Sequence, residues 1–268
     1  TPTKYQLQVK VNGALVTFLN GEQTLNFAYV GTSPARIGGQ FDASSYATGV
    51  YPLDILVTAV YPTTSLTSVV TAKLAVVNET TNPVARGWTI AGVQRLYNQG
   101  DGSALITDGS GSAVYFQKIG SAFTPPAGEF STLVTGTPSG GSGWTRRFPD
   151  STKVVFDATG KMTEVRDRFV NKTTVTYDGS GRVWQVKDPL NLTITLAYVT
   201  NGLSTITGPG SPGRVTNVTV DASKRLTAIR DPDNISTFFG YDGSLRLSTI
   251  TDRRGFTTTL GYDAQSGK

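Results

Sequence analysis

An aromatic residue followed by aspartate recurs through the second half of the chain at a fixed interval. It reads Phe156-Asp157, Tyr177-Asp178, Tyr198-Val199, Val220-Asp221, Tyr241-Asp242 and Tyr262-Asp263, at successive spacings of 21, 21, 22, 21 and 21 residues. A second anchor keeps step, because Asp167, Asp188, Asp231 and Asp252 each stand ten residues before the aromatic position of their own repeat. A constant period means one supersecondary unit copied along the chain, each copy burying its apolar face against its neighbours.

The unit itself reads as a β-hairpin. Met162 to Arg166 is a predicted strand, Asp167-Arg168-Phe169-Val170-Asn171 carries turn chemistry, and Thr173, Val175 and Tyr177 alternate with Thr174 and Thr176 on a return strand. Asp178-Gly179-Ser180-Gly181 then turns the chain back. The first strand of each copy breaks the alternation. Its apolar residues sit three apart, as in Met162/Val165, Val183/Val186, Leu203/Ile206, Leu226/Ile229 and Leu247/Ile250. Either that strand carries a bulge or its sheet is buried on both faces. A lone hairpin of this size is marginal in water, so consecutive hairpins are expected to pair side by side. The Tyr and Asp of each repeat then read as structural anchors: Tyr177, Asp178, Tyr198, Tyr241, Asp242, Tyr262 and Asp263.

From Arg86 to Lys268 the sequence resembles the Rhs/YD-repeat family. The likeness lies in Gly-(Lys/Arg)-hydrophobic…Asp-x-x-(Gly/Asn)…Tyr-Asp, as in Gly181-Arg182-Val183 and Arg230-Asp231-Pro232-Asp233-Asn234…Tyr241-Asp242, and in the lead-in Gly87-Trp88-Thr89-Ile90-Ala91-Gly92. The resemblance implies a β-strip that curves into part of a shell or barrel, in bacterial surface proteins, toxin shells or teneurin-like ectodomains. Two departures stand out. Val170 occupies a turn position the family gives to Gly, with Asn171 expected to take the special conformation one place later. In the third repeat Gly208-Pro209-Gly210-Ser211-Pro212-Gly213 replaces a compact turn and Val220 replaces Tyr, so that repeat is expected to bulge or to sit at the tightest bend. The chain stops within a repeat, at Ser266-Gly267-Lys268. It reads as a fragment or processed form of a longer polypeptide, or as an open sheet end that pairs with a neighbouring copy.

Residues 1 to about 85 show no such period. Tyr5–Val11, Ala14–Leu19, Thr24–Val30, Tyr51–Tyr61 and Ser68–Asn78 are predicted strands, joined in part at Asn12-Gly13 and Asn20-Gly21. Short strands punctuated by Gly, Pro and Asn suggest an immunoglobulin-like β-sandwich. The expected organisation is therefore all-β: a sandwich over 1–85, a transitional β-region over 86–155 and a hairpin array over 156–268. Asn78-Glu79-Thr80-Thr81-Asn82-Pro83 is the expected boundary, and Pro138-Ser139-Gly140-Gly141-Ser142-Gly143 is a second expected loop, with the composition of a flexible linker. No apolar run is long enough for a transmembrane helix.

Histidine and cysteine are both absent, which removes Ser-His-Asp and Cys-His catalysis, disulfides and ordinary zinc or haem ligation. Carboxylate chemistry remains, through Asp157, Asp178, Asp221, Asp242 and Asp263, but residues that recur with the fold read as turn caps. Asp231-Pro232-Asp233-Asn234 lacks the distal Glu of a calcium loop. The 24 Lys and Arg are interspersed with 19 Asp and Glu, as in Arg166-Asp167 and Asp252-Arg253, so local ion pairs are expected and not a nucleic-acid surface. The expected function is a non-enzymatic extracellular or cell-surface scaffold with no cofactor. Alternatives are an adhesin that binds glycans through Trp88, Trp144 or Trp184, and a filament that assembles through its sheet edge.

Overall fold

The computed structural model describes residues 1–29, 31 and 36–262. Every regular element among them is a β-strand, and every strand pairing is antiparallel. The chain forms two compact units. One holds Thr1–Val76 with Gly261 and Tyr262, and the other holds Val77–Leu260.

The first unit is built on one five-stranded sheet of β1 (Lys4–Val11), β2 (Ala14–Leu15), β3 (Leu25–Ala28), β4 (Gly49–Val60) and β5 (Ser65–Val76). Asn12 and Gly13 take positive φ (52° and 80°), as the two-residue turn between β1 and β2 requires. One face of the sheet carries Leu7, Val9 and Val11 on β1 beside Val57, Ile55 and Leu53 on β4. Among the described residues, the layer that covers it is not the second sheet expected of a sandwich. Irregular chain supplies it, with Val16, Phe18, Ile37, Phe41 and Tyr46 packed into the same cluster. The expected strand Ala14–Leu19 accordingly ends at Leu15. Val30, in the expected strand Thr24–Val30, lies outside the described residues.

The second unit begins with a four-stranded sheet of β6 (Arg95–Asn98), β7 (Ala104–Thr107), β8 (Ala113–Ile119) and β9 (Ala122–Thr124). A 13-stranded sheet follows, in which each strand bonds to the next in sequence. Its strands are β10 (Thr132–Thr135), β11 (Trp144–Arg147), β12 (Lys153–Phe156), β13 (Met162–Arg166), β14 (Lys172–Tyr177), β15 (Val183–Lys187) and β16 (Thr193–Val199), then β17 (Gly202–Gly210), β18 (Gly213–Val220), β19 (Leu226–Arg230), β20 (Ser236–Tyr241), β21 (Leu247–Thr251) and β22 (Thr257–Thr259). The strip is open, with β10 and β22 at its edges. It starts at Thr132, inside the region expected to be transitional. The expected loop Pro138–Gly143 is the hairpin loop between β10 and β11, closed by Gly136 N–H to Gly143 O (2.7 Å) and Thr137 N–H to Gly141 O (3.0 Å). Gly143 has φ 129°, and a Cβ there would lie 2.1 Å from the Phe156 carbonyl oxygen, so no larger residue fits.

The two sheets of this unit share one core. Leu96, Ala104, Ile106 and Phe116 from the short sheet cluster with Leu133, Val154, Phe156, Met162, Val175, Val183, Leu196 and Leu203 from the strip. The Leu96 N–H donates to Gly160 O (2.8 Å), and Arg95 bridges to Lys161.

The spacing of three in each first strand is explained by a bulge. The register shifts at Phe156, Tyr177, Tyr198, Val220 and Tyr241, leaving Thr163, Trp184, Ser204, Thr227 and Ser248 as the extra residues. One inserted residue returns i and i+3 to the same face. Met162 and Val165 thus lie opposite Phe156 and Val154 on the core face.

The eight hairpin loops of the strip that open on Asp share one form. In Asp157–Lys161 the Asp carbonyl accepts from the third residue on, Gly160, and the Asp N–H donates to the fourth, Lys161 (both 2.9 Å). The loops at Asp167, Asp178, Asp188, Asp221, Asp231, Asp242 and Asp252 repeat this pattern. It is a type I turn followed by a left-handed residue. Gly160, Gly181 and Gly255 fill the left-handed position, as do Asn191 and Asn234 at φ 66°. Val170 takes it as well, at φ 70°, so the strain is not passed to Asn171. Val170 is 67% exposed and packs little. Val170→Gly is therefore expected to stabilise the fold by about 0.5–1 kcal/mol. It removes a left-handed penalty of roughly 1–2 kcal/mol against an entropic cost of about 0.5–1 kcal/mol. Urea midpoints measure this, and a destabilised Val170→Gly would contradict the assignment.

Candidate functional site

The recurring residues are the candidate site, and the structure assigns each a job. In β13, β15 and β19 the bulge takes the carbonyl of the strand's first residue out of the ladder. The tyrosine fifteen residues later supplies a donor for it. The Tyr177 hydroxyl donates to Met162 O (2.8 Å), Tyr198 to Val183 O (2.9 Å) and Tyr241 to Leu226 O (3.0 Å). This is why the position prefers Tyr over an equally apolar Phe: the ring fills the core face and the hydroxyl reaches the orphaned acceptor. Burial pushes the Tyr177 and Tyr198 phenols up to about 12. The bulge residues Thr163, Ser204 and Thr227 donate their hydroxyls across to the facing strand, to Val155 O (3.3 Å), Ala197 O (3.0 Å) and Thr219 O (3.1 Å).

The aspartates close the loops. Asp178 Oδ1 accepts from the N–H of Ser180 and of Arg182 (both 2.9 Å), and its Oδ2 accepts from Arg182 Nε (2.7 Å). Asp242 repeats this with Ser244, Arg246 and the Arg246 side chain. The cation then reaches forward to the next repeat. Arg182 lies 4.6 Å from the Tyr198 ring centre, Arg225 5.6 Å from Tyr241 and Lys161 5.0 Å from Tyr177. Two repeats are thus linked to the next through Asp, then Arg, then Tyr: Asp178–Arg182–Tyr198 and Asp221–Arg225–Tyr241. Tyr262 is described and half-buried, while Asp263 lies outside the described residues.

These bonds hold the carboxyls ionised. For Asp157, Asp178 and Asp221 partial burial pushes the carboxyl up, and the loop hydrogen bonds and the cation more than reverse it. For Asp231, Asp242 and Asp252 the amides of Ile235, Arg246 and Phe256 have the largest effect, and they lower it. All six sit below their ordinary value of 3.8. A carboxyl depressed on folding contributes stability above its unfolded value and loses it as pH falls through the folded value. The urea midpoint is therefore expected to hold from neutral pH to about pH 5 and to fall below about pH 4. Asp178→Asn is expected to flatten part of that fall. A midpoint indifferent to acid would contradict the loop assignment.

The irregular third repeat has a specific cause. Residues Val84 to Trp88 cross it. Leu203 N–H donates to Val84 O (2.9 Å), Arg86 N–H donates to Lys224 O (2.6 Å), and Ala85 is fully buried. A Cβ on Gly202 would lie 2.5 Å from Val84 O and 3.2 Å from Val220, so this crossing occupies the space around Val220, where other repeats place Tyr. The Gly208–Gly213 stretch bulges as expected, because the register shifts by one residue between Thr207 and Gly210. It lengthens the hairpin to a Gly210–Gly213 pair around Ser211-Pro212, whose peptide bond is cis.

A second cluster was not legible in the sequence. Arg146 on β11 is 5% exposed. Its Nε donates to Ser131 Oγ (2.8 Å), and its guanidinium nitrogens reach Gln94 Oε1 (3.2 Å) and Glu129 Oε2 (3.0 Å). The guanidinium lies 4.6 Å from the Phe148 ring centre and 5.7 Å from that of Phe116. Burial pulls its pKa down, and Glu129 opposes that.

The three tryptophans differ. Trp88 packs edge-on against Phe239 (5.0 Å), and its Nε1 donates to the Tyr241 hydroxyl (3.0 Å). Trp144 packs against the core cluster. Trp184 occupies a bulge position where other repeats place Ser or Thr, and it is 47% exposed. A cleft of about 320 Å³ opens beside Trp88, Glu79 and Ser110. The calcium-like Asp231 and Asp233 are engaged by Arg253, at 2.6 and 3.9 Å. Among the described residues no cluster of His, Cys, Asp and Glu has the form of a metal site.

No protein-family model matches the chain, and no curated protein matches its sequence. Among solved structures it is similar to a chain in the crystal structure of the TcdB2-TccC3-Cdc42 complex, at 11% identity and a TM-score of 0.32. The match covers 76% of this chain and 12% of that one, so the present chain spans a small part of that protein's length.

Proposed function

We propose that this chain is a non-catalytic structural segment of a larger secreted or cell-surface Rhs/YD-repeat protein, its hairpin strip forming part of the wall of an extracellular scaffold or shell. One observation carries the reading: the side chains that define the repeat are spent on holding the sheet together. Tyrosine hydroxyls bond main-chain carbonyls, and aspartates close loops. Carboxyls held below their ordinary value have no proton to give as a general acid. Arg182, Arg225 and Arg246 are paired with loop aspartates, which supports neighbouring strip and not nucleic acid as the partner.

The adhesin alternative rests on Trp184, whose exposed ring could stack on a sugar. A glycan array tests it. The scaffold reading expects no reproducible hit, and a hit lost in Trp184→Ala would overturn it.

The strip also has an edge to offer a continuing wall or a further copy. Leu260 N–H donates to Ser248 O (2.8 Å) and Asp252 N–H to Phe256 O (2.8 Å), so Phe256, Thr258 and Leu260 face β21. The backbone groups of Thr257 and Thr259 point the other way. β22 bears no charge that would discourage pairing. We expect either edge-to-edge association or rapid hydrogen exchange at Thr257 and Thr259. Light scattering over a concentration series, with exchange measured on the last repeat, separates the two. A strictly monomeric chain with both amides protected would sink this part of the reading.

A further inference from the structure

The first unit carries a second open edge, independent of the repeats. Asn12 N–H donates to Pro52 O (3.0 Å) and Tyr61 N–H to Thr64 O (2.8 Å). Even-numbered residues of β4 therefore bond to β1 and odd-numbered ones to β5. By the register of β4 with β5, the strand β5 bonds inward through Leu66, Ser68, Val70, Ala72 and Leu74. It points the N–H and C=O groups of Ser65, Thr67, Val69 and Thr71 outward. β4 is the sole strand paired with β5 among the described residues.

This edge has the features that natural proteins suppress when a strand is meant to stay single. It is 12 residues long, and Lys73 is its one charged residue. Leu66 is 66% and Val70 57% exposed. Both lie on the same face as Leu53, Ile55 and Val57, so the apolar face of the sheet runs on past the layer that covers it.

We propose that β5 is a homodimer interface, pairing antiparallel with β5 of a second copy about a two-fold axis at Val70 to make one continuous sheet. The sequence of β5 fits itself in that register. Outward-bonding residues meet outward-bonding residues, Val69 against Thr71 of the other copy and Thr67 against Lys73. On the apolar face Val70 meets Val70, and Leu66 meets Leu74, extending the core across the axis. The lone Lys73 faces a threonine, so no like charges oppose each other, as an isologous interface requires.

Sedimentation of the full chain over a concentration series tests this. The wild type is expected to dimerise and Val69→Pro to be monomeric. Proline removes an outward donor at an edge position that tolerates it, and unchanged circular dichroism confirms the fold. Should Val69→Pro fail to fold, charge at Thr67 gives the answer. Thr67→Glu, opposite Lys73 of the other copy, is expected to tighten the dimer. Thr67→Lys is expected to weaken it, by about tenfold between the two. A wild type that stays monomeric, a dimer that survives Val69→Pro, or one unmoved by charge at Thr67 but lost in Thr259→Pro would overturn the proposal. The last would place association at β22.

Discussion

Replacing Arg146 with alanine is expected to cost about 3–5 kcal/mol, the usual penalty for breaking a buried, fully paired charge by removing one partner. The guanidinium is where three pieces of chain meet. Ser131 and Glu129 come from the loop before β10, Gln94 from the residue before β6, and Arg146 itself from β11. Alanine leaves Glu129, whose side chain is 18% exposed, without its cation, and strips the stacking partner from Phe148. Arg146→Lys keeps the charge but not the planar fork of donors, and is expected to lose a large part of the same energy. Arg146→Met fills the volume without a charge to desolvate, so its cost lies below that of alanine. Chemical denaturation of the three variants checks the order. A loss under about 1 kcal/mol for Arg146→Ala would show that the network is incidental.

The second large effect belongs to the repeat aromatic. Tyr177→Ala is expected to cost about 3–5 kcal/mol, by emptying an aromatic site packed on the core cluster and by orphaning the Met162 carbonyl. Tyr177→Phe isolates the hydroxyl. It keeps the packing and is expected to cost about 1–3 kcal/mol for the unsatisfied acceptor. Thr176 is exposed on the opposite face and makes only a long contact to Gln185 O (3.5 Å), so Thr176→Ala is expected to cost well under 1 kcal/mol. Equal costs at 176 and 177 would contradict the face assignment. A silent Tyr177→Phe would contradict the role given to the hydroxyl.

Much of the strip was legible because its rules are local. Asp at the head of eight loops, and Gly or Asn in the left-handed position of five of them, answer to backbone sterics within five residues, so the period and most of the turns could be read directly. The bulge was readable as one of two alternatives. What selects it is visible in retrospect: Thr163, Ser204, Thr227 and Ser248 each follow the first apolar residue of their strand. The Arg182-to-Tyr198 contact was present only as an unexplained preference for Lys or Arg after the turn. What stayed hidden is long-range. Nothing around Val220 announces that residues more than a hundred positions earlier cross it. Nothing distinguishes Arg146 from its exposed neighbour Arg147 until Ser131, Glu129 and Gln94 are brought to it. The first unit misled for a related reason. Alternation on β1 and β4 correctly marks one buried face, but whether a second sheet or irregular chain covers that face depends on packing that no local pattern encodes.

The central claim is that the Tyr, Asp and cation of each repeat are architectural and act between neighbouring hairpins. Native-state hydrogen exchange on Tyr198→Phe against wild type tests it most directly. The substitution orphans the Val183 carbonyl at the start of β15. If coupling runs between neighbours, protection falls in β14 to β17, over residues 172–210, and stays unchanged in β6 to β8 and in β1 to β5. Unchanged protection at residues 172–210, or a loss spread evenly over both units, would contradict the account.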